Sequence, residues 1–206
     1  MSAVQNLNQG TRGAEAHSVF VSGSDVYVAG SENNAQYNAV AKVWKNGTLL
    51  YNLTNGTRHE QASSIFVSGN DVYVAGYDGY VATLWKNGIA QRLTDANNYT
   101  SAHSVFVSGN DVYVAGESMP LTSLEKQGSL SIVRNRGYAT LWKNGIAQRL
   151  TTEVLGNDLK LDFTNLSVFV SGSNVYVAGT LMDERKSHKK TSILWTNGNA
   201  QKLRRW

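Results

Sequence analysis

Apolar and polar residues along this chain fall into one phrase that returns four times, at His17–Gly30, Ser63–Gly76, His103–Gly116 and Leu166–Gly179. Each phrase holds two short apolar runs, Ser18–Val21 and Val26–Ala29 in the first copy. Both are rich in β-branched and aromatic residues, the composition of strands apolar on both faces. The Ser-Gly-(Ser/Asn)-(Asp/Asn) link between them predicts a tight hairpin, with Gly and the Asx residue supplying the positive-φ positions. A third run ends in tryptophan, at Val40–Trp44, Val81–Trp85, Tyr138–Trp142 and Thr191–Trp195. Asn-Gly follows each time, at Asn46, Asn87, Asn144 and Asn197, a second hairpin signal. A more polar run closes each unit: Tyr51–Thr54, Gln91–Thr94, Gln148–Thr151 and Gln201–Leu203. No window sustains a helical period, and Pro120 is expected outside every strand. The chain is predicted to be all-β, four antiparallel strands to a unit.

The polarity gradient across each unit indicates how the units sit. Strands apolar on both faces belong between neighbouring sheets, whereas Gln, Arg and Lys on the fourth strand suit an exposed sheet edge. A four-stranded meander buried at one edge and polar at the other, repeated about an axis, is a propeller blade. The Val-Tyr-Val-Ala-Gly strand and the Trp-(Lys/Thr)-Asn-Gly corner resemble the short-repeat propellers found mainly in bacteria, over nearly the whole chain. The Gly-His and Trp-Asp signatures of WD repeats are absent. The resemblance implies a four-bladed β-propeller of four-stranded antiparallel blades in one domain. The units would run approximately 9–54, 55–94, 95–151 and 152–206. Residues 4–8 match the fourth-strand pattern and form a surplus outer segment. They could complete the last blade by terminal-strand closure, or pair with another molecule.

Both tight turns of each unit must lie at one end of the sheets, and the connections that vary in length lie at the other. The second-to-third links are expected at Ser31–Asn38, Tyr77–Tyr80, Glu117–Gly137 and Thr180–Thr191, and the last fourth-to-first link at 152–165. Variable connections on a constant frame are where recognition residues collect. The candidates there are Tyr37, Tyr77, Tyr80, Tyr99, Tyr138 and Glu117, with Glu125 beside them. The four tryptophans, although suited to stacking on sugars, read as packing between blades. Phe20, Phe66, Phe106 and Phe169 with Tyr27, Tyr73, Tyr113 and Tyr176 read as core. His17 and His103 occupy matching positions and would face each other across a four-fold axis. They are weak metal candidates, because the matching Ser63 and Leu166 supply no third strong ligand. Asp25, Asp71, Asp111 and Asn174 read as turn residues bonding their own backbone.

Composition narrows the function classes. Among 206 residues there is no cysteine, which removes disulfides, thiolate metal sites and cysteine nucleophiles. The net charge of +4 comes from one end: up to residue 180, twelve Lys/Arg face thirteen Asp/Glu, and beyond it seven face two. So small a basic cluster reads as a solvated tail, not a nucleic-acid footprint. No apolar stretch is long enough for a membrane span, and the first residues carry no signal-peptide pattern, so a soluble protein is expected. No paired carboxylates, Ser-His-Asp spacing or phosphate loop is legible, and no cofactor is implied. The expectation is a non-enzymatic binding module, monomer or low-order homo-oligomer, recognising a carbohydrate or protein through its variable loops. The alternatives are an assembly domain pairing through the spare terminal strand, and a hydrolase with its site at the channel mouth.

Overall fold

The computed structural model describes residues 13–95, 98–120, 124–127, 130–133, 137–150, 161–183 and 189–203. Four antiparallel four-stranded sheets account for most of them. The first holds β1 (Ala14–Ser22), β2 (Asp25–Asn33), β3 (Ala39–Lys45) and β4 (Thr48–Asn52); the second holds β5 (Glu60–Ser68), β6 (Asp71–Asp78), β7 (Val81–Lys86) and β8 (Ile89–Arg92). The third contains β9 (Asn98–Ser108) and β10 (Asp111–Pro120), then a separate hairpin of β11 (Leu124–Gln127) and β12 (Leu130–Val133). It is completed by β13 (Tyr138–Lys143) and β14 (Ile146–Arg149). The fourth is β15 (Leu161–Ser171), β16 (Asn174–Asp183), β17 (Lys189–Thr196) and β18 (Asn199–Lys202). Every sheet takes its strands from one unit in sequence order. The fourth sheet has its own outer strand, β18, so no exchanged terminal strand is seen among the described residues. The surplus segment 4–8 lies outside them. Pro120, expected in a loop, is the last residue of β10 opposite Asn98, a strand end where its missing N–H costs little.

Two turn chemistries shape each unit. The first hairpin has positive φ at glycine alone, 61° at Gly23 and 57–59° at its three counterparts Gly69, Gly109 and Gly172. The Asx residue expected to share that role instead begins the next strand. The second hairpin has both central residues at positive φ, 51° at Asn46 and 79° at Gly47, the pattern of a type I′ turn. The two turns lie side by side and are bonded together. Asn87 Oδ1 accepts from the Val72 N–H at 2.8 Å, its Nδ2 donates to Asp71 Oδ1 at 2.8 Å, and Lys86 Nζ sits 2.7 Å from Asp71 Oδ2. Asn46 with Asp25 and Lys45, and Asn144 with Asp111 and Lys143, repeat it. In the fourth unit Asn197 bonds Asn174. These aspartates therefore bond the neighbouring turn, not their own backbone. Their lysine partners first, then the asparagines, hold Asp25, Asp71 and Asp111 below the ordinary carboxylate range. Because these pKa values are lower in the folded chain, their contribution is present at neutral pH and is lost as pH falls below 3.8 through the folded values. Asn87→Ala is expected to cost about 2 kcal/mol in denaturant unfolding, combining lost bonds with left-handed strain. Asn87→Gly, which keeps the backbone geometry at ease, should cost roughly half as much.

Consecutive sheets pack through one repeated interface. First strands lie adjacent, β1 to β5, β5 to β9 and β9 to β15. Ala62, Ile65, Val67 and Trp85 of the second sheet close over Tyr27, Ala29, Ala41, Val43 and Leu53 of the first. The second-to-third and third-to-fourth contacts use matching residues. Trp44, Trp85, Trp142 and Trp195 are buried as expected. Phe20, Phe66, Phe106 and Phe169 form a stack with centroids 4.7–5.0 Å apart. The series stops there. No strand pair joins the fourth sheet to the first as consecutive sheets are joined, and Phe169 makes no ring contact with Phe20. Phe169, expected in the core, is 57% exposed, and Tyr176 is half-buried. Neither has a following sheet to cover it. The described residues thus form an arc of four sheets and do not close the expected ring. No helix among the described residues is long and apolar enough to cross a membrane.

Candidate ligand-binding face

Opposite the bonded turns, the ends of the sheets carry the connections that differ between units. The first strands begin four to six residues before the expected runs and the second strands end three to five residues after them, which places Tyr99, Tyr77 and Glu117 in strands, while Tyr138 begins its run as expected. Only Tyr37 and Tyr80 lie in loops; Tyr77, Tyr99, Glu117 and Tyr138 belong to β6, β9, β10 and β13. The β2–β3 loop is built on Asn34, whose Oδ1 accepts from the N–H groups of Gln36 and Asn38 at 2.9 and 3.0 Å. Its Nδ2 donates to the Gly56 carbonyl at 3.2 Å. That turn places Tyr37 at φ 62° with its side chain 72% exposed.

Tyr80 and Tyr99 meet edge to face with centroids 4.5 Å apart, and are 61% and 42% exposed. Their support is buried Thr100. Its N–H donates to the Tyr80 carbonyl at 2.9 Å, and its Oγ1 accepts from the Ala82 N–H at 2.7 Å. The hairpin tip of one sheet is thereby pinned to the first strand of the next. Two exposed rings on a fixed backbone make an apolar wall with hydroxyl tips, at small entropic cost on binding.

The other candidates are engaged within the fold. Tyr77 donates to Gln61 Oε1 at 2.8 Å and packs edge-on against His59 at 5.5 Å. Burial first, then the charge of Glu15, raises its phenol above the ordinary value. The Arg149 guanidinium lies 3.9 Å from the Tyr138 ring centroid. Glu125 lies in β11, whose side chains fall outside the described residues. His17 and His103 share no site: His17 Nε2 lies 3.6 Å from Glu15, and His103 Nε2 lies 3.8 Å from Glu117. No group of three or more potential metal-ligating His, Cys, Asp or Glu side chains forms among the described residues.

Two polar groups escaped the sequence reading. Buried Glu60 accepts from the successive N–H groups of Gly56, Thr57 and Arg58 at 2.8, 3.0 and 3.2 Å, fixing the β4–β5 connection. The only local signal was a carboxylate shortly after an Asn-Gly-Thr turn. The second group joins Ser101, His103 and Glu117. Ser101 Oγ donates to Glu117 Oε1 at 3.0 Å and lies 3.0 Å from His103 Nε2. His103 Nδ1 accepts from the Leu166 N–H at 3.3 Å, so the neutral ring carries its proton on Nε2. The serine proton points at the carboxylate and both ring nitrogens are occupied. This order is not the nucleophile–imidazole–acid relay of the hydrolases, and the cluster ties the third sheet to the fourth.

No protein-family model matches the chain, and no curated protein matches it. Burial holds His103 below the ordinary imidazole value of 6.5. The unfolded chain takes up that proton first, so this contribution to stability is complete above 6.5 and declines as pH falls towards the folded value. Melting curves from pH 7 to pH 5 are expected to lose more stability in the unsubstituted protein than in His103→Gln.

Proposed function

We propose that the four sheets are propeller blades of the short-repeat type and that the chain is a non-enzymatic binding module. Its loop-bearing end takes a carbohydrate or a protein surface. The observation that carries this reading is the exposed Tyr80–Tyr99 pair, held on a backbone that buried Thr100 fixes, at the end where the units differ. Tyr37 with Asn34, Gln36 and Asn38 around it supplies the mixture of rigid aromatic area and adaptable polar groups typical of recognition loops. The opposite end is closed by the Asn–Asp–Lys bonds and is nearly the same in every unit, so it offers little to distinguish a ligand. Non-equivalent loops favour one composite site over four equal sugar pockets.

The test is a glycan panel with quantitative titration of whatever binds, alongside candidate protein ligands. A Tyr80→Ala, Tyr99→Ala double variant is expected to weaken binding at least tenfold, about 1.4 kcal/mol or more. Ile89→Ala, an exposed residue beside the tight turn, should leave binding unchanged. A ligand that tolerates loss of both tyrosines would remove the loop-end reading. An empty glycan panel would leave only the protein version.

A further inference from the structure

The arc ends on two apolar faces that its own internal interfaces know how to cover. On the first sheet, Val19 and Val21 are 63% and 60% exposed, and Ala16 is exposed beside them. Their counterparts Ile65 and Val67, Val105 and Val107, and Val168 and Val170 are all buried against a preceding sheet. On the fourth sheet the matching receptor residues are Tyr176, Ala178, Leu194 and Leu203. Ala178 is exposed and Leu203 is 51% exposed. In the other sheets the same positions are buried under the sheet that follows. Terminal units of an open repeat array need a polar outer face, and these keep the apolar residues of the interior.

A hydrogen bond marks the same gap. Ser18 Oγ accepts from the Ile65 N–H at 3.2 Å, Ser64 Oγ from Val105 N–H at 3.1 Å, and Ser104 Oγ from Val168 N–H at 3.1 Å. The series continues to Ser167 and, at its start, to Val19. Among the described residues of one chain neither has this partner. We propose that a second copy of the chain supplies it. The fourth sheet of each copy receives the first sheet of the other, head to tail, with Ser167 meeting the Val19 N–H across the junction. Because four sheets do not bring the last back to the first, the turn per sheet is less than a quarter circle. Two copies provide eight sheets, within the usual range of about four to eight blades, and a two-fold axis makes the two junctions identical. Pairing follows from the repeated interface; closure also rests on reading the sheets as blades.

Light scattering and sedimentation of the whole chain across a dilution series test this, with Val19→Glu and Ala178→Glu as variants. Both positions are exposed within a single chain, so each variant should keep the circular dichroism of the parent. The unsubstituted chain is expected at twice its own mass. Each variant should be monomeric, its dissociation constant raised at least 100-fold. An equimolar mixture of the two should regain a two-chain species, because each variant retains the face that the other needs. A parent that stays monomeric at every concentration overturns the proposal and means the faces are covered within a chain. An Ala178→Glu protein that still dimerises overturns head-to-tail pairing. Mass that keeps rising with concentration overturns ring closure, and the blade reading with it, while retaining the junction.

Discussion

Trp142→Ala is expected to lower unfolding stability by about 4 kcal/mol, measured by denaturant unfolding at constant pH. Trp142 is fully buried among Tyr73, Ala75, Leu84 and Leu93 of the preceding sheet, with Val105 and Val107 of its own. An alanine there removes nearly the whole indole from contact and leaves a cavity between two sheets that backbone pairing prevents from collapsing. The internal control is Phe169→Ala. Phe106 and Phe169 are equivalent in sequence, but Phe169 ends the stack and is largely exposed within one chain. In monomeric Ala178→Glu, truncating Phe169 should cost less than about 1 kcal/mol. Equal losses at Trp142 and Phe169 in that background would mean that the sheets do not pack in the series described.

Gly116→Ala should be as damaging, at about 3 kcal/mol or more, for a different reason. The register of β9 against β10 shifts at His103, which stands opposite no residue of its own. That bulge brings the β9 backbone over Gly116, and an added Cβ would overlap the Ser101 carbonyl oxygen. A carbonyl inside a sheet cannot turn away without giving up its own geometry. Gly30 and Gly76 meet the carbonyls of Glu15 and Gln61 in the same way. Gly179 is the informative exception, because the nearest atom there is Leu166 Cδ2, the end of a side chain that can rotate. Gly179→Ala should therefore be clearly milder than Gly116→Ala. Matching losses would place the cause in strand propensity and not in the bulge.

These contrasts mark how far the residues alone reveal the molecule. Strand composition and Asn-Gly corners gave all four sheets, because each is decided by local backbone preference and alternation. Tryptophan burial was legible for the same reason: each ring precedes a turn whose geometry aims it between sheets. Closure was not legible. Whether Phe169 reaches Phe20 depends on small rotations accumulated over three interfaces, and no single residue encodes their sum. The misassigned Asp25, Asp71 and Asp111 show a related limit, since an Asx side chain has several partners of similar energy and only the neighbouring turn decides among them. The candidate site was half legible. Tyr37 and Tyr80 lie exposed in loops, and Tyr99 lies exposed in a strand beside Tyr80. Tyr77 and Glu117 are held by Gln61 and Ser101, cross-strand neighbours that register alone brings within reach.

Amide exchange by NMR at Val19, Ile65, Val105 and Val168 tests the repeated interface most directly, because these four equivalent N–H groups differ only in which serine can cover them. Slow exchange at Ile65, Val105 and Val168 is expected under all conditions. Val19 should exchange as slowly as they do in the two-chain species and much faster in monomeric Ala178→Glu. Fast exchange at Val19 within a stable dimer, or equal protection of all four amides in a monomer, would contradict the account.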